Sequence, residues 1–222
     1  MIATFPLVAI ASISTATGVS CSGRSFLFPW WQEFPPATSI GVIMGLRNRW
    51  NYSGYPYFIT TTVVEWAKVF KSKAYFDILC ESLLFCKDKY ICKLLAYCLM
   101  PNHIHLVLWP DQSAAISDFM RDFKKFTSVQ IRRALEQEGE VELLNILKAN
   151  AKGAKGQVFK LWKDRFDDLV LNQRETMITK INYIHANPVR KGLVSMPEDW
   201  FYSSARNYLS IGTSAIPVDM EW

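Results

Sequence analysis

An α+β fold is what this sequence predicts, and three observations predict it. Two apolar runs, Leu94–Met100 and His103–Trp109, are separated only by Pro101-Asn102, the pattern of two strands joined by a tight turn. Two other stretches, Phe76–Cys86 and Ile116–Ile131, repeat apolar residues every three to four positions, as one face of a helix does. Strand-like and helix-like runs follow each other as β-α-β-β-α-β, with a further helical stretch after the last strand.

Tyr57–Val64 is aromatic and β-branched throughout and reads as the first strand. Phe76–Cys86 is the first helix. The hairpin Leu94–Met100 and His103–Trp109 supplies strands two and three. A long amphipathic helix follows, with Ser113 or Ser117 as its cap and Ile116, Phe119, Met120, Phe123, Phe126, Val129 and Ile131 as its apolar face. Residues 136–156 read as a helix end and a loop closing on Ala151-Lys152-Gly153-Ala154-Lys155-Gly156. Gln157–Trp162 is the expected fourth strand. Glu175–Ala186 is the last helix, stopped by Asn187-Pro188. This order is that of a ferredoxin-like sandwich with an additional C-terminal helix.

Residues 1–43 differ in kind. They hold one basic residue, Arg24, and one acidic residue, Glu33. No basic segment precedes their apolar run, so they make a poor secretory leader. They are read as a disordered or spurious extension, with Met44 as an alternative start. The working domain is then 44–210, with 211–222 as a tail. No stretch reaches the ~18–20 uninterrupted apolar residues of a membrane span. The five cysteines (Cys21, Cys80, Cys86, Cys92 and Cys98) form no Cys-x-x-Cys pair and are odd in number, which argues against a disulfide framework or a zinc site. A reducing cytoplasm is the expected compartment. The net charge of +5 is a mild excess, compatible with a polyanionic partner without requiring one.

Two of the three histidines, His103 and His105, lie one residue apart on the third strand. Residues i and i+2 of a strand share a face, so two imidazoles stand side by side, as a divalent metal would need. The same spacing fits two polar residues facing solvent. On the last helix Tyr183 and Asn187 are four apart and share a face, presenting a phenol and an amide oxygen together. They fit equally a packed tyrosine and an amide closing the helix before proline. His185 lies about 160–200° round the helix from both and reads as structural. Arg121, Lys124, Lys125, Arg132 and Arg133 charge the long helix, and Lys152, Lys155, Arg190 and Lys191 charge two turns. These are candidate DNA contacts or an ordinary solvated surface. Trp109, Trp162, Phe166 and Trp200 are candidates for stacking bases or for the core.

Several blocks together resemble the single-tyrosine transposases with a His-hydrophobic-His motif, and more closely their REP-associated tyrosine transposase branch. They are Met100–His105, Tyr57–Thr62, Met120–Ser128, Trp162–Asp168, Tyr183–Arg190 and Glu198–Tyr208, within a span from Asn51 to Tyr208. The resemblance implies the ferredoxin-like fold already read from the element order. It implies that His103 and His105 ligate Mg²⁺ or Mn²⁺, that Asn187 is the third ligand, and that Tyr183 is the nucleophile. The implied substrate is single-stranded DNA with hairpin structure, cleaved to a 5′-phosphotyrosine and a free 3′-hydroxyl. A homodimer is compatible, with Tyr183 serving its own site or its partner's. A free phenol has a pKa of ~10 and needs assistance to attack. Energy conserved in the covalent bond makes nucleotide hydrolysis unnecessary, and the sequence has no Gly-rich Lys-Ser/Thr phosphate loop. The competing expectations are a catalytically silent nucleic-acid binder on the same fold and a metal-dependent phosphoesterase for small molecules.

Overall fold

The computed structural model describes residues 54–111, 116–151 and 158–220. The expectations for residues 1–43, Cys21, Ser113, Lys152 and Lys155 lie outside the described residues.

Four strands make one antiparallel sheet in the order β2-β3-β1-β4. They are β1 (Tyr57–Thr62), β2 (Cys92–Met100), β3 (His103–Pro110) and β4 (Asp167–Val170). With α1 (Lys73–Lys89) between β1 and β2, and α2 (Ile116–Glu138) between β3 and β4, this is the expected ferredoxin-like arrangement. β2 and β3 form the expected hairpin about Pro101-Asn102, with Met100 opposite His103.

Side-chain alternation assigns the two faces of the sheet different tasks. Ile59, Leu99, Ile104, Leu106 and Leu108 point one way into the main core, against Leu79 and Leu83 of α1 and Phe119, Phe123 and Ile131 of α2. Each such buried side chain contributes about 1.5–3 kcal/mol over its exposed state. The opposite face carries His103, His105 and Val107. A smaller core there joins Ala96, Cys98, Met100 and Val107 to Met177, Ile181 and Ile184 of α4 (Arg174–Arg190). The additional C-terminal helix therefore covers the face that α1 and α2 leave open.

The structure corrects five sequence expectations. The fourth strand is Asp167–Val170, not Gln157–Trp162. Phe159, Leu161 and Trp162 are all buried in the main core, so their apolar character reflects burial and not pairing; Trp162 makes only an isolated bridge to Val63. β4 instead begins with two exposed aspartates, which suit a sheet edge because charge discourages further pairing. Residues 136–156 contain a helix, α3 (Val141–Ala149), whose Leu143, Leu144 and Leu147 reach the main core after Gly139 (φ 70°) ends α2. On α2, Phe126 and Val129 are exposed, while Thr127 and Leu135 complete the buried stripe. At about 100° per residue, Val129 points away from that stripe and Phe126 lies at its margin. α2 starts at Ile116, so Ser117 is inside its first turn rather than its cap. Finally, α4 passes through Asn187-Pro188 to Arg190. A proline this near a helix end removes a single hydrogen bond, and the Lys191 N–H to Asn187 carbonyl bond (3.0 Å) closes the turn.

Residues 202–219 lie along β2. The Leu99 N–H donates to the Tyr202 carbonyl, the Ser204 N–H to the Tyr97 carbonyl, and the Asp219 N–H to the Leu94 carbonyl, each near 2.9–3.0 Å. Ile216 is fully buried in the main core, and α5 (Ala205–Tyr208) adds one turn. Cys80, Cys86, Cys92 and Cys98 are buried free thiols, and burial pushes Cys80 and Cys92 up to about 12. No helix among the described residues is long and apolar enough to cross a membrane.

Candidate active site

Antiparallel register sets the floor of the site. His105 lies opposite Thr60 and His103 opposite Thr62, so the histidines share a face with β1 side chains. Their ring centroids are 4.9 Å apart, and both are almost wholly buried. Burial pushes the His103 imidazole down to about 4 and, helped by the His103, Arg190 and Lys180 charges, His105 down to about 3. Both are neutral at pH 7.

A neutral imidazole has one donor and one acceptor nitrogen. His103 Nδ1 is 2.7 Å from Asn102 Oδ1, an acceptor only, so Nδ1 carries the proton and Nε2 the lone pair. His105 Nδ1 is 2.8 Å from Thr60 Oγ1, and a proton donated there leaves the Nε2 lone pair free as well. His105 Nε2 is buried with no hydrogen-bond partner among the described residues. An orphaned buried acceptor is costly unless something else occupies it. Two Nε2 lone pairs oriented by outer-shell bonds through Nδ1 are the donor set of a divalent metal site. The residues therefore fit the implied metal.

α4 brings the rest. Its buried stripe Met177, Ile181, Ile184 and Pro188 seats it on the sheet. One flank then carries Tyr183 and Asn187 over the histidines. Asn187 is buried, with Nδ2 3.0 Å from His103 Nε2. A half-turn of the amide would present Oδ1 instead. Among the described residues no group of three His, Cys, Asp or Glu gathers anywhere. The Tyr183 ring lies 5.4 Å from His105, edge-on, and the side chain remains 38% exposed. It meets His105 of its own chain. Phe58 stacks on His105 at 5.5 Å and meets Tyr183 edge-on at 6.0 Å. Arg190 sets its guanidinium 4.1 Å from the Tyr183 ring centroid and donates to the Tyr183 carbonyl. Lys180 Nζ lies 4.9 Å from the Phe58 ring and 5.8 Å from that of Tyr183.

The predicted residues thus separate into two groups. His103, His105, Tyr183, Asn187 and Arg190 come together. Arg121, Lys124 and Lys125 lie on α2, which packs on the other face of the sheet. Arg121 pairs with Asp118 and Asp122, and Lys124 Nζ donates to the carbonyls of Lys163 (2.6 Å) and Asp164 (3.1 Å). Lys125 is exposed. Of the candidate stacking aromatics, Trp162 is buried and donates Nε1–H to Thr127 Oγ1. His185 is structural, as expected. Its Nε2 is 2.8 Å from Ser204 Oγ, its ring packs edge-on to Tyr208, and burial pushes it down to about 3. Sequence reasoning missed Thr60, Phe58 and Lys180. Lys180 is three residues before Tyr183 on one helix face and was findable, whereas Thr60 and Phe58 depend on strand register.

The family model described as IS200-like transposase matches residues 52–187, a span that contains both histidines, Tyr183 and Asn187. A REP-associated tyrosine transposase of Haemophilus influenzae is 27% identical over 117 residues, which cover 53% of this chain. The match spans 61% of that relative's length. A solved REP-associated tyrosine transposase bound to a REP hairpin superposes with a TM-score of 0.56 at 19% identity, over 81% of this chain and 91% of that one, which establishes likeness of fold. With most of its length matched by the family model, and the matched residues folded as described, the chain belongs to the IS200-like transposase family.

Proposed function

We propose that this protein is a metal-dependent endonuclease and strand transferase for single-stranded DNA, acting at hairpins through a 5′-phosphotyrosine on Tyr183. The observation that carries this reading is the meeting of Tyr183 with His105 at 5.4 Å, where the buried His105 Nε2 has no hydrogen-bond partner among the described residues. The hairpin in the REP-associated neighbour supports the choice of substrate.

His103 Nε2, His105 Nε2 and the Asn187 amide oxygen would hold Mg²⁺ or Mn²⁺, which supplies charge neutralisation and polarisation of the phosphate. The chain's own groups account for the rest. The exposed Tyr183 hydroxyl is the nucleophile. Its oxygen bonds to phosphorus as the bond from phosphorus to the 3′-oxygen breaks. The proton lost by the phenol balances the one gained by the departing 3′-hydroxyl. Attack of a 3′-hydroxyl on the phosphotyrosine reverses the step and joins strands. Arg190 and Lys180 place two cations beside the phenol, where the phosphate must arrive. Phe58 and the stacked His105 ring restrict where the phenol can lie. Lys125 and Arg121 remain proposed contacts to DNA outside the site.

A labelled single-stranded hairpin library incubated with Mg²⁺ or Mn²⁺ tests the reading. The expected result is a denaturation-resistant protein–DNA adduct that needs the metal and is absent from Tyr183→Phe. Hairpin binding by the wild type without any adduct would instead identify a catalytically silent binder on this fold.

A further inference from the structure

Trp66 is 55% exposed, yet it stands edge-on to His103 with ring centroids 5.9 Å apart. It sits on the turn after β1, where Glu65 (φ 52°) and Trp66 (φ 54°) are both left-handed. Residues with a Cβ avoid that region because the Cβ crowds the backbone, and neither of these side chains is buried in compensation. The turn is nonetheless fixed from several sides. The Val63 N–H donates to the Asn102 carbonyl and the Val64 N–H to the Leu161 carbonyl, both at 2.9 Å. The Asn102 amide donates to the Trp66 carbonyl at 3.1 Å while its oxygen accepts the His103 Nδ1–H. One side chain therefore ties the indole's position to that of the first histidine.

A cation completes the arrangement. Lys163 Nζ lies 4.7 Å from the centre of the Trp66 ring. The backbone of Lys163 is anchored by its N–H to the Thr62 carbonyl (2.9 Å) and by Lys124 Nζ on its carbonyl. An indole more than half exposed, an ammonium over its ring and a rigid mounting next to a proposed metal ligand match the chemistry of an unpaired base and its phosphate. A duplex does not meet that description, because its bases are already stacked on one another.

We propose that Trp66 is a stacking platform for an unpaired nucleobase of single-stranded DNA bordering the cleaved phosphate, with Lys163 holding a backbone phosphate of that strand. This rests on the nuclease reading above.

The test measures fluorescence anisotropy of labelled dT12, and of a 12-base-pair duplex, in the presence of a chelator. Mn²⁺ affinity is measured separately by calorimetry. Trp66→Ala is expected to weaken dT12 binding by about 5- to 100-fold, with duplex binding and Mn²⁺ affinity unchanged. Trp66→Phe, which keeps a ring, should retain most of the affinity. Lys163→Ala should weaken binding and reduce the salt dependence by about one counterion. Equal dT12 affinity in Trp66→Ala and wild type would overturn the platform and leave the nuclease reading standing. Parallel loss of Mn²⁺ binding in Trp66→Ala would overturn it too, by showing a support for His103. Wild type that binds dT12 no better than duplex would also overturn the platform, while the adduct assay decides the nuclease reading.

Discussion

The two flanks of α4 meet buried histidines put to opposite purposes. On one flank His185 is buried, neutral and satisfied by Ser204. On the other flank, under Tyr183 and Asn187, the helix meets His103 and His105, equally buried and equally neutral. There Nδ1 is satisfied in both rings, but His105 Nε2 has no partner among the described residues. Burial and a lowered pKa are common to both flanks, so neither identifies a site. What separates them is a buried nitrogen unsatisfied among the described residues, on a ring 5.4 Å from that of a partly exposed tyrosine.

Breaking the functional flank should have the largest effect. His105→Ala is expected to abolish the metal-dependent adduct while hairpin binding, followed by gel shift, persists. Acidification acts on both flanks together. A buried histidine whose pKa falls from 6.5 to about 3 or 4 leaves the unfolded chain binding more protons below pH 6.5. Stability is therefore full above that pH and declines as pH falls toward 4. Between pH 7 and pH 5 each histidine should cost about 1–2 kcal/mol, and chemical denaturation of metal-free protein reads the sum. Thr60→Val removes the hydroxyl that orients His105 and keeps its shape. Calorimetry should show about 10- to 100-fold weaker Mn²⁺ binding. His185→Gln, on the structural flank, is the smallest perturbation. It should lower stability by about 1 kcal/mol and leave Mn²⁺ affinity as it was.

Residues close in sequence made their half of the molecule legible. The hairpin about Pro101-Asn102 and the pairing of His103 with His105 follow from two-residue periodicity, and the offset of His185 from Tyr183 follows from the helical turn. The order of elements predicted the sandwich. What failed depended on context. Phe159, Leu161 and Trp162 look like a strand because burial favours the same residues as pairing does. The edge strand Asp167–Val170 looks like a loop because an edge tolerates charge. Asn187-Pro188 looks like a helix stop, although a proline in the last turn costs little. Trp66 gave no signal at all, since its exposure and its nearness to His103 come from a turn held by Asn102 and Leu161. Likewise nothing in β1 alone marks Thr60 as the partner of His105; the register does.

The reading stands on Tyr183 as the nucleophile of a site it shares with the histidine pair. Peptide mapping by mass spectrometry of the adduct formed with a cleavable hairpin and Mn²⁺ tests it most directly. A nucleotide phosphate carried by the peptide containing Tyr183, on the phenol oxygen, is the predicted result. A phosphate on any other residue, or cleavage with no covalent adduct, would contradict the account.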